Sequence, residues 1–450
     1  MGHTINKPSF SIVTLGCKVN QFESETIAWQ LKASGFDWIT RSAVPVNPRG
    51  HTCIINTCTV THKASMQSRQ AIRQAIRSHP EARIIVTGCL AQTHPDSIRN
   101  ISGIDRIVGH AHKHRIPEML VSPQDEDARP LPAEHCFQPR SPAEPGFAPL
   151  GNRTRPFLKI QDGCDTFCTY CIVPHARGRH RSMPFADVLA SVQNIGAANF
   201  HEVVLTGIHM GCYGKDLSPK TDLVTLLARL RDQRAIDRIR LSSVEPLEIT
   251  DKLIHLVSEP WVRPGHICRH FHIPMQSGDD TILKRMNRPY RQLEFRQRIA
   301  VIKKAMPDAA IGVDVMIGFP GETEFFYHNT LKLLDSLPIT YLHVFPFSAR
   351  QGTPASHFPD PVPAGVVRER CREVRELGKA KRRTFLKKHL NSEVDVLVET
   401  TRDRTTGRLK GITTNYIKIL LDGNDDIKNT FQNVRITGIH DDQTAIGRLL

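Results

Sequence analysis

Apolar runs of strand length recur along this chain with helical segments between them, and that alternation limits its fold more than any other feature. FSIVTLGC (10–17), TCIINTCTV (52–60), ARIIVTGC (82–89) and the shorter DRIVG (105–109) read as strands. ESETIAWQLKASGF, with Gly35 placed to stop it, and KASMQSRQAIRQAIRSHP, ended by Pro80, read as the helices between them. Strands that are apolar throughout, separated by helices, predict a parallel sheet covered on both faces, an N-terminal Rossmann-like α/β domain over 8–111. Cys17, Cys58 and Cys89 each fall at or near the carboxyl end of one of the first three strands. Ligands of open α/β sheets bind at that edge, so the topology would gather three thiols there. Cys53 lies at the start of its strand, far from the edge, and reads as a packing residue.

Residues 112–152 are rich in Pro and polar residues and read as a linker, with Cys136 lacking obvious partners. From 153 to 365 the alternation resumes. FLKIQ, EVVLTG, RIRLSS, HFHIP, IGVDVMIG and YLHVFPFS are six strand candidates, which predict a doubly wound sheet or a partial or complete (β/α) barrel. The conspicuous segments follow strands: DGCDTFCTYC, TGIHMGCYG, SSVEP, PMQSG and GFPGET, so right-handed crossovers would set them on one rim. Residues 366–388 read as a basic connecting helix; VVRERCREVRELGKAKRRTFLKKHL (366–390) carries ten Lys/Arg against three Glu, and Val367, Cys371, Val374 and Leu377 fall at helical spacing. EVDVLVET, GRLKGITTNYIKILLDG and FQNVRITGI predict a small β-barrel over 389–450.

The chain has 450 residues, a formal charge of +15 and a pI near 9.5, which favours an anionic partner such as nucleic acid. It shows neither a transmembrane run nor the pattern of a signal peptide, so a cytoplasmic location with no membrane partner is expected. Eleven cysteines cannot all pair, and in a reducing compartment clustered thiols point to metal or redox chemistry. Cys164, Cys168 and Cys171 stand in C-x3-C-x2-C spacing. His175 would complete a Cys3His zinc site. Alternatively the three thiols hold an iron–sulfur cluster with one iron left open to a ligand.

That motif, with Tyr170 before its last cysteine and a strand before it, resembles the radical S-adenosylmethionine superfamily. The whole chain resembles its methylthiotransferase branch, and TLGCKVNQFESE resembles the MtaB-type members that modify N6-threonylcarbamoyladenosine next to the tRNA anticodon. INTCTVT, VTGCLAQ, LTGIHMGCYG, SSVEP and IGVDVMIGFPGET are also similar to that group. The resemblance implies a central partial (β/α)6 radical barrel and a C-terminal TRAM β-barrel. It implies two 4Fe–4S clusters, one on Cys164, Cys168 and Cys171 and one on Cys17, Cys58 and Cys89. It further implies two S-adenosylmethionine molecules per turnover, a 5′-deoxyadenosyl radical that takes hydrogen from C2 of the adenine, and a tRNA anticodon loop as partner. A low-potential electron donor of flavodoxin or ferredoxin type and a monomeric enzyme go with it. Thr206, Gly207, Ser243, Glu245, Gly318 and Gly321 would contact the cofactor. Arg285, Arg288 and, on the small barrel, Lys410, Lys418 and Arg435 would contact RNA. Cys53 and Cys212 match no ligand position of the family. Relatives acting on isopentenyladenosine tRNA or on a ribosomal protein are the nearest alternative; a non-catalytic iron–sulfur RNA-binding protein is the alternative of another class.

Overall fold

The computed structural model describes residues 7–39, 48, 50–121, 153–260 and 263–450. They fall into two compact units: Met1–Gly151 with Gln161–Asp187 and Ser348–Ser356, and Asn152–Ile160 with Val188–Phe347 and His357–Leu450.

The first unit is built on five parallel strands, β1 (Ser9–Thr14), β2 (Asp37–Trp38), β3 (His51–Thr57), β4 (Arg83–Gly88) and β5 (Arg106–Val108). Helices α1 (Lys18–Ala33), α2 (His62–Ser78), α3 (Cys89–Thr93), α4 (Asp96–Arg99) and α5 (Ile116–Val121) connect or cover them. The strand order β2-β1-β3-β4-β5 is the flavodoxin-type doubly wound order, whose switch point lies between β1 and β3. The two faces carry separate cores, as apolar strands buried on both sides require. Phe10, Ile54 and Ile85 pack with Ile27 and Leu31 of α1 on one face, while Cys53, Ile55 and Val86 pack with Ile72 of α2 on the other. Cys53 is thus the packing residue its place at the strand start implied. The edge strand β2 is two residues long and was not legible. Nor does the chain leave the domain at residue 112: Ile116, Met119 and Leu120 of α5 are buried in the first core. The rest of the expected linker, 122–152 with Cys136, lies outside the described residues.

Beyond it come β6 (Phe157–Lys159), then β7 (Gln161–Asp162) and β8 (Arg181–Ser182), which pair antiparallel around α6 (Val173–Arg177). The second unit continues with α7 (Phe185–Ala197, entering from the first unit), β9 (Glu202–Thr206), α8 (Leu223–Gln233), β10 (Arg238–Leu241), α9 (Asp251–Ser258), β11 (His266–Ile267) and β12 (His270–Gln276). α10 (Asp280–Arg285), α11 (Gln292–Ala305), β13 (Ala310–Ile317), α12 (Glu324–Ser336) and β14 (Tyr341–Pro346) follow. All six strands expected here are present and parallel, joined by a two-residue strand that was not expected, β11; the seven form two sheets ordered β11-β10-β9-β6 and β12-β13-β14, bridged from Ser243 to His272.

Helix α13 (Ala364–Lys388) buries Cys371, Val374, Phe385 and Leu386 but also Arg370 and Arg382, so its buried stripe is less apolar than its spacing suggested. It leads into a closed barrel ordered β15-β16-β17-β19-β18 from β15 (Glu393–Arg402), β16 (Leu409–Thr413), β17 (Lys418–Leu421), β18 (Phe431–Ile439) and β19 (Thr444–Leu449). Closure removes the free sheet edges. Glu202, Arg238 and Arg240 are fully buried beneath it, and the two arginines donate to the carbonyls of Ile412, Thr413 and Thr414. Arg240 and Arg238 also hold Glu202 (2.7 and 3.1 Å).

Candidate functional site

β1, β3 and β4 are neighbours, so the residues that follow them meet at one edge. Cys17 caps α1, Cys58 follows β3 and Cys89 opens α3. Two glycines permit this convergence. Gly16 has φ +92°, and a Cβ there would lie 2.7 Å from both Cβ and Sγ of Cys58. Gly88 has φ +97°, and a Cβ there would lie 2.3 Å from the Thr57 carbonyl oxygen. Ser68 fixes the Cys58 backbone, accepting from its N–H (3.0 Å) and donating to its carbonyl (2.9 Å).

A buried polar network lies beside these thiols. Arg177, at the end of α6, donates to Glu23 (2.8 Å), Asp162 (2.9 Å) and Asn20 (2.6 Å). Lys113 donates to Glu23 (2.6 Å) and Asn56 (3.0 Å). Asn20 donates in turn to the carbonyls of Leu15 and Thr57, at the ends of the strands that present Cys17 and Cys58. Burial pushes the Cys89 thiol up to about 12; the Arg177 charge opposes that, and Cys17 and Cys58 add to it. Burial raises Cys58 too, with Arg177 again opposing. Such thiols do not ionise unaided near neutral pH, so they are poor nucleophiles. A soft metal centre displaces their protons outright.

Cys164, Cys168 and Cys171 lie on the loop between β7 and α6, in the same compact unit. The loop turns through Gly163 (φ +70°), where a Cβ would lie 1.9 Å from the Arg179 carbonyl oxygen, and through Phe167 (φ +47°). Cys164 N–H donates to the Gly178 carbonyl (3.1 Å) and Cys171 N–H to that of Cys168 (2.9 Å). Asp162, one residue before this loop, binds Arg177, so one guanidinium ties the loop to α1 and the Cys17 turn.

A tetrahedral zinc site with Zn–S near 2.3 Å sets its sulfurs about 3.8 Å apart. Among the described residues, the sets of three ligand atoms within 4.8 Å of one another are His209–Cys212–Glu248 and His272–Asp314–His343; neither cysteine trio is one of them. His175, the fourth ligand a zinc on the second trio would need, packs edge-on against Phe167. Three soft donors in each set, with the buried cations Arg177 and Lys113 beside Cys89, fit an anionic iron–sulfur cluster.

The other expected site residues are in the second unit. Thr206 ends β9, buried, and its carbonyl accepts from Ile160 N–H (2.9 Å); Gly207 follows. Ser243 makes the bridge to His272. Burial raises the Glu245 carboxyl, and its partner is Arg288, whose side chain is only 3% exposed. Arg288 is therefore spent on Glu245 and on the Tyr290 ring rather than presented to RNA. Gly318 and Gly321 have φ of +83° and +80°, but the space above them is filled by the chain itself, by Val367 and by the Arg285 guanidinium. That is a packing reason for both glycines, and it engages Arg285. On the small barrel Lys418 is exposed, Lys410 is 3.5 Å from Glu399, and Arg435 pairs with Glu393 (2.5 Å). Sequence reasoning missed Arg177, Lys113, Glu23 and Asn20, and both histidine-containing groups. Glu23 and Asn20 stand in the TLGCKVNQFESE stretch, but nothing in spacing marks Arg177 or Lys113.

Residues 158–334 match the model of the radical SAM superfamily, and residues 9–109 that of an uncharacterized protein family, UPF0004. The threonylcarbamoyladenosine tRNA methylthiotransferase MtaB of Bacillus subtilis is 37% identical over 94% of this chain and 92% of its own. Its counterpart from Rickettsia prowazekii is 36% identical over 86% and 87%. A tRNA-2-methylthio-N(6)-dimethylallyladenosine synthase of Clostridium tetani is 30% identical over 96% and 94%. The radical S-adenosylmethionine methyltransferase TsrM of Kitasatospora setae shares the fold, with a TM-score of 0.55 at 13% identity over 78% of this chain and 77% of that one.

Proposed function

Because the chain belongs to the radical S-adenosylmethionine methylthiotransferase family, we propose that it adds a methylthio group to C2 of N6-threonylcarbamoyladenosine in the tRNA anticodon loop. The observation that carries this reading is the pairing of two three-cysteine sets within one compact unit. The nucleoside follows from the relatives. Those named for threonylcarbamoyladenosine are 32–37% identical to this chain, and those named for dimethylallyladenosine 30–31%.

Cys164, Cys168 and Cys171 would hold one 4Fe–4S cluster, and Cys17, Cys58 and Cys89 the other. Together with S-adenosylmethionine such clusters supply radical removal of an unreactive hydrogen, a sulfur atom and a methyl group, none of which acid–base side chains provide. The chain's own residues hold and tune. Arg177 and Lys113 set positive charge beside thiolates that burial disfavours. Burial of Cys58 and Cys89 excludes water, and Gly16 and Gly88 allow the strand ends to converge.

We read the two parallel sheets and their Ser243–His272 bridge as one partial (β/α)6 barrel over 153–365, and the closed C-terminal barrel as a TRAM domain. Thr206, Gly207, Ser243 and Glu245 are the candidates for cofactor contact, and Lys410, Lys418 and Arg435 for RNA contact. The target base must be splayed from its loop, which single-stranded RNA permits. A monomer working in the cytoplasm with a flavodoxin- or ferredoxin-type donor completes the proposal. Mass spectrometry of tRNA nucleosides from a strain lacking the gene tests it. The expected result is loss of the methylthio group from threonylcarbamoyladenosine and its return on complementation; loss from the isopentenyl nucleoside instead would refute the assignment.

A further inference from the structure

His272, Asp314 and His343 stand on three adjacent parallel strands, β12, β13 and β14. Asp314 is in register with His343 on one side and with Pro274 on the other, and His272 precedes Pro274 by two residues. Partners in register, and residues two apart on a strand, share a face of the sheet. Phe271, Ile273, Val313 and Val315 take the opposite face and are buried, so the three polar side chains gather on one side of a rigid sheet.

Their donor atoms converge. His272 Nε2 lies 2.7 Å and His343 Nδ1 3.3 Å from the same carboxylate oxygen, Asp314 Oδ1. All three atoms lie within 4.8 Å of one another. Two rings that only hydrogen-bond to a carboxylate can take one oxygen each; here both close on one. Ligands about 2.0–2.1 Å from an ion stand about 2.9 Å apart at octahedral and about 3.4 Å apart at tetrahedral angles, close to both spacings.

The other nitrogen of His272 has the partner that a metal-bound imidazole needs. Its Nδ1 is 3.3 Å from the Tyr341 hydroxyl, which is 2.8 Å from His270 Nε2. A hydroxyl both gives and takes a hydrogen bond. With an ion on Nε2, the ring proton of His272 sits on Nδ1 and donates to Tyr341, which donates in turn to His270. Such outer partners fix the tautomer and the orientation of ligating histidines. Gly312 makes room for this, since a Cβ there would lie 2.3 Å from the Tyr341 hydroxyl oxygen. The side chains of His272 and Asp314 are 14% and 19% exposed and that of His343 51%, so an ion can enter from the His343 side.

We propose that His272, Asp314 and His343 bind a divalent transition-metal ion, using none of the six cluster cysteines. Two imidazoles and a carboxylate suit iron(II), cobalt(II) or zinc(II) rather than magnesium or calcium, which take oxygen ligands. Three protein donors leave positions for water or a small ligand. The inference does not depend on which nucleoside the enzyme modifies. Tyr341 is a positioning residue, acting through His272.

Zinc, which has no redox chemistry, is the probe. It is added to the reconstituted full chain with magnesium in excess. Zinc retained after desalting is measured by mass spectrometry, and its neighbours by X-ray absorption at the zinc edge. The expected result is about one zinc per chain with only nitrogen and oxygen neighbours, at about 2.0–2.2 Å. His343→Ala and Asp314→Asn lose that zinc with iron content unchanged. Tyr341→Phe keeps the ring over Gly312 and weakens zinc binding by about 10- to 100-fold. His343 is half exposed, so thermal melting of His343→Ala should match the wild type and keep the variant informative. Sulfur neighbours near 2.3 Å would put the zinc on cysteine, at Cys212 or in an unfilled cluster set, and overturn the inference. A wild type that retains no zinc, or a His343→Ala variant that retains it, overturns the inference as well.

Discussion

Cys58 sits beside a strand end with its backbone held by Ser68, and Cys168 sits on a short loop closed by the β7–β8 pair. The two offer the same thiol to different work. Cys168→Ala is expected to abolish release of 5′-deoxyadenosine, because the cluster proposed for Cys164, Cys168 and Cys171 would lose a ligand. Cys58→Ala should leave that release largely intact and abolish methylthiolation. Each variant should drop from about eight to about four iron per chain after anaerobic reconstitution. If both variants release 5′-deoxyadenosine and thiolate normally, the assignment of ligands is wrong. The cysteines were legible because a strand end fixes where a following residue stands. Arg177 was not, since a lone arginine has no spacing to betray it. Its role appears only when α6 returns it to Glu23 and Asn20, more than 150 positions earlier. Arg288 shows the converse: a basic residue in a basic stretch invites an RNA contact until burial against Glu245 removes it.

At the scale of elements, long apolar runs were readable and short or polar pieces were not. β1, β3 and β4 declare themselves by continuous apolar residues. The edge strand β2 has two residues, too few for a period to register, whereas the three residues of β5 were legible in the short apolar run DRIVG. The last strand, Thr444–Leu449, alternates only weakly, yet its parallel pairing with β17 is one of the ladders that close the small barrel. Helix α5 was assigned to the linker because Pro-rich chain follows it, although its own apolar residues complete a core. The turn from β4 into α3 supplies an element-level test. Gly88→Ala places a Cβ against the Thr57 carbonyl at a φ that side chains rarely adopt. It should cost about 1–3 kcal/mol, lower the melting temperature and reduce loading of the N-terminal cluster while sparing the Cys164 loop. Gly35→Ala shares the positive φ but has nothing within 4 Å of its Cβ, so it carries the conformational strain without the collision. Equal iron loading in the two variants would show that close approach at Gly88 does not assemble the site.

Across the molecule, charge is used in two opposite ways. The surplus of +15 suits a polyanionic partner. Inside the second unit, charge is instead buried and paired, and it fastens the parallel sheets to the small barrel. Glu202 is held at about 2: burial alone would raise its carboxyl, but Arg240, Arg238 and Arg155 overcome that. His266 lies beside the same arginines, and its Nε2 meets Thr414 Oγ1 at 2.8 Å. Burial, then Arg238, Arg269 and Arg240, lower its pKa to about 3. The unfolded chain takes up a proton on this ring below about 6.5, while the folded chain refuses it until about 3. Stability from this group is therefore complete above about 6.5 and declines as pH falls toward 3, by at most about 1.4 kcal/mol per unit. His266→Gln keeps a side chain able to bond Thr414 and cannot titrate. Its melting temperature should be lower than that of the wild type at pH 7.5, and the gap should narrow or reverse by pH 5, where the wild type has lost about 2 kcal/mol of the advantage. His51 and His389, also buried with lowered pKa, titrate in both proteins and cancel in the difference. Parallel melting curves over that range would mean that His266 is not held neutral, and that the arginines beneath the small barrel do not govern its fastening.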